Sequence, residues 1–188
     1  MTETPLQQRS VEAKLLYAAY SRKPLNIFFV VASTFAVGGV LSSVFPQSVV
    51  TAWIVALLAS QFLGCIEVLA FRRAKPGPED IVRWQRIFLA QSAMSGAAWA
   101  VGPTLLIGQS AGANAAFCVG VLMSVAIVAM ISVAEQRSAM IAMIGFAFLP
   151  PMFAFWLTGG AVEQRIALVL LCGMTAAITV GVFFNQSV

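Results

Sequence analysis

The residue with the clearest potential for chemistry is Glu67, because it is the only acid well inside a long apolar run. Ser60, Gly64 and Glu67 recur at i, i+4 and i+7, so they share one face of a helix, and Gln61 flanks that face. An ionisable group at membrane depth is costly to bury and often belongs to a ligand or proton site. Two interpretations stay open: a site that senses a ligand or proton, or a structural carboxylate that reaches water or pairs with the arginines just after the run.

A second polar stripe lies on the next apolar run, where Gln91, Ser95 and Trp99 follow one another at intervals of four residues. Gln91 lies about one turn from the inner end of its run, which is also the depth of Glu67. Consecutive helices with a short connector pack antiparallel, so a hydrogen bond between Glu67 and Gln91, with Arg86 nearby, is geometrically feasible. The sequence therefore offers Glu67, Gln91, Ser95 and Trp99 as candidate ligand-binding residues.

Other chemistry is scarce in this chain. The sequence has no His, which excludes His-ligated haem, zinc or copper and a His proton relay. The three cysteines, Cys65, Cys118 and Cys172, form no C-x-x-C pair, and we expect them to be small buried residues. No phosphate-binding, dinucleotide-binding or nucleophile-elbow motif is present. We therefore expect no enzyme activity, no cofactor and no metal site within these residues.

Six apolar runs, separated by short connectors, must position these groups. Of the 188 residues, 60% are hydrophobic and 10% charged, whereas a soluble domain carries about 25% charged residues. Each run approaches the roughly 20 residues that cross a bilayer as a helix. The sequence thus predicts an all-α integral membrane protein with six transmembrane helices. The expected helices are Leu25–Phe45, Val49–Phe71, Ile87–Ile107, Ala113–Val133, Met140–Leu157 and Ile166–Asn185.

The distribution of basic residues predicts the orientation of these helices. Basic residues in short loops are retained in the cytoplasm. Of the eleven Lys and Arg residues, only Arg165 falls on the outer side of the predicted topology. The ten on the inner side are Arg9, Lys14, Arg22, Lys23, Arg72, Arg73, Lys75, Arg83, Arg86 and Arg137. Both ends are therefore expected in the cytoplasm. Residues 1–23 form a polar segment with a possible short interfacial helix, and residues 24–188 form the transmembrane domain. The net charge of +4 suits membrane lipids, and we expect no nucleic-acid partner.

Small residues mark a packing face on the last run, where Gly173, Ala177 and Gly181 lie on one stripe. Stripes of this kind let helix backbones approach closely in membranes. The stripe has two possible uses, packing within the bundle or a homodimer through the sixth helix.

Several stretches together resemble a known membrane region. From Arg83 the chain reads RWQRIFLAQSAMSGAAWAVGP, the first run opens with RKPLNIFFV, Trp53 lies near the start of the second, and the fifth contains FAFLPPMFAFWL. This pattern is similar to the N-terminal six-helix sensor region of bacterial diguanylate cyclases (GGDEF proteins) and sensor histidine kinases. The resemblance covers most of residues 20 to 188. It implies an inner-membrane input domain that passes a stimulus through the sixth helix to a cytoplasmic output domain, and no such output domain is present in these residues.

The main alternative is a non-catalytic accessory or assembly subunit of a larger membrane complex, which apolar helices and short loops also suit. The reading frame beyond Val188 distinguishes the two, since a catalytic domain there favours signalling and a stop codon favours the subunit. A small transporter is a third possibility. It would need a polar pathway across the bilayer, and the outer half of the predicted bundle offers few polar side chains.

Overall fold

The computed structural model describes residues 5–42, 45–77, 79–106, 113–132, 136–158 and 160–186, and they form six α-helices. The prediction of an all-helical chain with six helices is confirmed for these residues. The helices are α1 (Pro5–Leu41), α2 (Gln47–Ala74), α3 (Ile81–Leu106), α4 (Ala113–Ser132), α5 (Arg137–Thr158) and α6 (Ala161–Gln186).

The first helix is longer than the short interfacial helix expected within residues 1–23. From Pro5 onward this segment belongs to α1, which continues through Pro24 to Leu41. A proline inside a helix removes one backbone hydrogen bond and crowds the preceding turn. Here the turn before Pro24 is anchored, because the side chains of Tyr20 and Lys23 both bind α2. The helix therefore crosses the predicted boundary between residues 23 and 24.

Three of the six helices are long and apolar enough to cross a membrane, where the sequence predicts six. Judged by length and composition over the described residues, they are α2, α5 and the part of α6 from Ala161 to Phe183. The apolar stretch of α4 is shorter, at Val119–Met130. The first helix begins with a polar half, and α3 carries Arg83, Arg86 and Gln91 along its first three turns.

The bundle is organised around α3, which packs between α2 and α5. The fifth helix also packs against α6, the first against α2, and the fourth against α5 and α6. Gly96 allows α3 and α5 to approach closely, since a Cβ there would overlap the backbone carbonyl of Met143 on α5. The main core includes Phe88, Ile144 and Phe148, and a smaller cluster surrounds Trp53 between α2 and α3.

The outer surface of the bundle is strongly apolar. Phe28, Phe62, Phe153 and Phe183 are all more than half exposed, and they lie on four different helices. Soluble monomers rarely expose apolar patches beyond a few hundred Å². Together with the three long apolar helices, this surface indicates a membrane protein.

Candidate polar site between the first three helices

The carboxylate of Glu67 binds two side chains of α1. Lys23 donates from Nζ to Oε2 of Glu67 over 2.5 Å, and Tyr20 donates from its hydroxyl to Oε1, also over 2.5 Å. The side chains of Lys23 and Glu67 are only 11% and 6% exposed. A buried charge is tolerated when it is paired and hydrogen-bonded, so each of these groups depends on the other.

Aromatic rings enclose this ion pair. The ring of Tyr20 stacks on Phe71 with centroids 3.8 Å apart, and the edges of Trp84 and Phe88 contact the same cluster. The Lys23 amine also lies 4.5 Å from the centroid of the Phe88 ring, a cation–π distance. The rings exclude water from one side of the pair, which strengthens its electrostatic attraction and makes an unpaired charge there costly.

A small polar cavity adjoins Lys23 of the ion pair. Its volume is about 30 Å³, and an ordered water needs roughly 10–15 Å³ with polar partners around it. The cavity therefore has room for water in direct reach of polar side chains from α1, α2 and α3. It is lined by Lys23, Asn26, Ile27, Gln61, Phe88, Gln91, Ser92, Ser95 and Met143.

Hydrogen bonds between α2 and α3 fix the amide groups near this cavity. Gln91 donates from Nε2 to the backbone carbonyl of Ser60 over 2.6 Å, and Gln61 donates from Nε2 to Oγ of Ser95 over 3.4 Å. Gly64 leaves room for this arrangement, because a Cβ at that position would lie 3.1 Å from the Gln91 amide nitrogen and 3.8 Å from Cε of Lys23. The polar face predicted on α2 thus contacts polar groups of both α1 and α3.

The structure brings together three of the four predicted ligand-binding residues, with different pairings. Gln91 and Ser95 line the cavity, and Glu67 binds Lys23 at its edge. Neither the Glu67–Gln91 hydrogen bond nor a pair between Glu67 and the following arginines occurs in the described residues, because Gln91 bonds to the Ser60 carbonyl and Glu67 to α1.

Sequence reasoning missed Tyr20 and Lys23, which it assigned to a separate cytoplasmic segment. The available signal was their spacing. Residues 20 and 23 are three apart on a helix and so share one face, at the depth where an antiparallel first helix passes Glu67.

The fourth candidate, Trp99, lies elsewhere. Its ring contacts Trp53 edge to face, with centroids 5.8 Å apart, and both indole nitrogens are buried without a hydrogen-bond partner in the described part of the chain. Trp99 also borders an apolar cleft of about 520 Å³ between α1 and α4. That cleft is separate from the polar cavity, since the two share no lining residue among those described.

The small-residue stripe of α6 faces the chain's own helices. Gly173 lies against Met123 of α4, Gly181 lies against Met140 of α5, and Ala177 is buried in the main core. This face is therefore occupied within the bundle, and a homodimer through α6 would have to use another face of the helix. A homodimer stays a prediction.

The cysteines differ from the expectation of buried packing residues. Cys65 on α2 and Cys172 on α6 are exposed on the surface of the bundle. A thiol behaves as a small apolar group, so these positions are compatible with contact to lipid. The side chain of Cys118 lies outside the described residues. Over the residues that the structure describes, no three metal-ligating side chains come together.

Comparisons with protein-family models, curated proteins and solved structures find no match to this chain. The resemblance to the membrane region of diguanylate cyclases and sensor kinases stays a prediction from the sequence.

Proposed function

We propose that this chain is the input domain of a bacterial signalling protein, embedded in the inner membrane by six passes with both ends in the cytoplasm. It passes a stimulus through α6 to a cytoplasmic output domain of the diguanylate cyclase or histidine kinase type. The asymmetry of the basic residues supports this orientation, because only Arg165 falls on the outer side.

The observation that carries the proposal is the buried ion pair of Lys23 and Glu67 beside a cavity with room for water. This ion pair holds α1 against α2 only while both groups are charged and shielded from water. A stimulus that hydrates it, protonates Glu67 or competes for Lys23 would favour a second packing of the two helices. A stimulus shifts such an equilibrium by its difference in affinity for the two packings.

A continuous set of contacts leads from this cavity to α6. Met143 of α5 lines the cavity, and its carbonyl lies against Gly96 of α3. One turn earlier on α5, the sulfur of Met140 lies against Gly181 of α6. A change in the packing of α1 and α2 would therefore reach α6 through two methionines on one face of α5, and contiguous packed contacts of this kind carry energetic coupling.

The experiment joins the full chain after Val188 to the catalytic domain of a diguanylate cyclase and measures cyclic di-GMP in cells. Lys23→Gln and Glu67→Gln should each change the output several-fold, and the double variant should return toward the parent. Glu163→Gln is the matched control, since it makes the same carboxylate-to-amide change at a residue that has no ion pair in the described part of the chain. Equal amounts of chimera in the membrane fraction exclude a trivial loss of protein.

Unchanged output in all these variants would reject the sensory proposal. Purification of the unfused chain in mild detergent then tests the accessory-subunit hypothesis. A stable larger assembly with other membrane proteins would favour that hypothesis, whereas a lone chain or a homodimer would count against it.

A further inference from the structure

A further cavity opens where α1 and α2 pass each other beyond the ion pair, toward the N-terminus of α1 and the C-terminus of α2, and it differs from both the polar cavity and the apolar cleft. Its volume is about 240 Å³. Two cations, the hydroxyl of one serine and an aromatic wall of two tyrosines and one phenylalanine surround it, and no acidic side chain among the described residues lines it. The lining residues are Tyr17, Tyr20, Ser21, Phe71, Arg72 and Lys75.

The cations of this cavity are available to a ligand. Arg72 and Lys75 are exposed, and in the part of the chain that the structure describes neither side chain forms an ion pair. Lys75 ends α2 in a left-handed conformation, with φ at 44°, and its backbone N–H bonds to the carbonyl of Phe71. That conformation turns the chain at Lys75, at the rim of the cavity.

The simplest role for basic residues here is to offset the negative end of the α2 helix dipole. Arg72 and Arg73 both occupy the last turn of α2 and serve that role equally. Only Arg72 lines the cavity, however, and it does so together with Tyr17 and Ser21 of α1. The dipole does not account for this convergence of two helices.

The surface next to the cavity is apolar on both helices. Ser21 is followed at helical spacing by Leu25 and Phe28, which are 61% and 65% exposed, and Arg72 is preceded one turn earlier by Leu69 at 53%. A ligand that fits this surface carries an anionic head and a long apolar tail. A free anion would contact only the basic cavity and would leave the adjoining apolar surface uncovered.

We propose that this cavity binds the phosphate headgroup of an anionic phospholipid. Arg72 and Lys75 pair with the phosphate, the Ser21 hydroxyl turns from the Ala18 carbonyl to donate a hydrogen bond to it, and the exposed ring of Tyr17 packs against the glycerol region. The acyl chains lie along Leu25, Phe28 and Leu69. On the proposed orientation the site faces the cytoplasmic leaflet, so a bound lipid braces α1 against α2 on the cytoplasmic side of the ion pair.

The test is lipid retention by the full chain purified in mild detergent and exposed to phosphatidylglycerol or phosphatidylcholine, with bound lipid counted by native mass spectrometry. The parent should retain phosphatidylglycerol in preference to phosphatidylcholine. Arg72→Gln with Lys75→Gln should weaken that retention by about tenfold or more. Arg73→Gln with Arg83→Gln removes the same charge from exposed residues outside the cavity and should retain the lipid as the parent does.

A variant that keeps every charge provides an independent check. Ser21→Phe fills the cavity from α1, and it should also reduce phosphatidylglycerol retention while helicity and the elution volume stay unchanged. If the two double-charge variants lose phosphatidylglycerol retention equally, the lipid is held by diffuse electrostatic attraction. If no variant loses retention, the cavity is not a lipid site. Either result overturns the proposal.

Two further outcomes distinguish a lipid site from a free-anion site and from a failure of the proposed topology. If inorganic phosphate at millimolar concentration displaces the lipid completely, the cavity is a site for the free anion and the lipid assignment fails. If retention follows the cavity variants but topology labelling places Arg72 outside, the lipid site stands and the sensory orientation fails.

Discussion

Glu67 on α2 and Lys23 on α1 are 44 positions apart in the chain, yet their charged groups meet at 2.5 Å inside the bundle. Neither helix alone shields these charges. The pair exists because an antiparallel crossing of α1 and α2 places a lysine beside a carboxylate, with Tyr20 completing the carboxylate's hydrogen bonds. The polar site therefore exists only in the packed bundle. The coupling energy between Lys23 and Glu67 is a measure of the contact between α1 and α2.

Removal of either partner should destabilise the bundle strongly, because the other charge stays buried and unpaired. We expect Lys23→Gln and Glu67→Gln each to cost about 3–5 kcal/mol, and the double variant to cost less than the sum of the two. The measurement is a double-mutant cycle from unfolding in mixed micelles, with a coupling energy of about 0.5–3 kcal/mol expected. Glu163→Gln is the control, and additive effects of the two single changes would contradict a direct pair.

Tyr20 contributes a hydrogen bond to the carboxylate as well as a stacked ring, and one substitution separates the two. Tyr20→Phe keeps the ring on Phe71 and removes the hydroxyl, so the loss should be about 1.5–3 kcal/mol, as for hydrogen bonds to charged groups. Tyr17→Phe removes a hydroxyl that bonds to the uncharged carbonyl of Pro76, and it should cost about 0.5–1.5 kcal/mol. Unfolding of both variants in the same micelles checks the order, and a Tyr17 effect as large as that of Tyr20 would contradict it.

Sequence patterns predicted the helices well, because apolar length and backbone hydrogen bonding decide them locally. The six runs correspond to α1 to α6, and the stripe around Gln91 on α3 does face a polar neighbour. The structure of the segment before Pro24 was harder to predict from the sequence. The segment's composition is polar, and the tertiary contacts of Tyr20 and Lys23 with Glu67 account for its continuation as part of α1.

The pairing of polar groups was less predictable than their presence. Glu67 and Gln91 were placed at the same depth from the sequence, but depth does not fix which neighbour a side chain faces. Gln91 is closer to the Ser60 carbonyl because Gly64 leaves space for its amide beside α2. The packing of all three helices together sets how each helix is rotated about its axis. That rotation cannot be deduced from the polar stripe of a single helix.

The contact between α3 and α5 depends on the absence of a side chain at Gly96. A methyl group there would overlap the backbone carbonyl of Met143, and backbone cannot move aside as a flexible side chain can. We expect Gly96→Ala to separate α3 from α5 and to cost about 1–3 kcal/mol, as overpacking does. Gly145→Ala on α5 is the matched control, since a Cβ there meets no atom within 4 Å.

The readout for this pair is the unfolding midpoint in micelles, together with cyclic di-GMP output in the chimera. Gly145→Ala should leave both near the parent values. If Gly96→Ala does the same, the tight contact between α3 and α5 is not a determinant of stability, and the route through Met143 to α6 loses its support.

The predicted orientation of the helices can be tested with two valines at opposite ends of the bundle. Val82 is the second residue of α3 and Val162 the second residue of α6. Both side chains are about half exposed, at 51% and 56%. In a chain whose three native cysteines are replaced by Ser, we introduce Val82→Cys or Val162→Cys. A membrane-impermeant maleimide added to intact spheroplasts should label the residue-162 variant at once, and should label the residue-82 variant only after the membrane is opened.

The two substitutions make the same chemical change and leave every basic residue in place, so a difference in labelling reports only the side of the membrane. Labelling after detergent permeabilisation confirms that both thiols are reactive. The reverse pattern would place the basic connector between α2 and α3 outside, which contradicts the retention of positive charge in the cytoplasm. Lys23 and Glu67 would then lie near the outer surface, and a stimulus acting on their pair could not be passed inward by the proposed route.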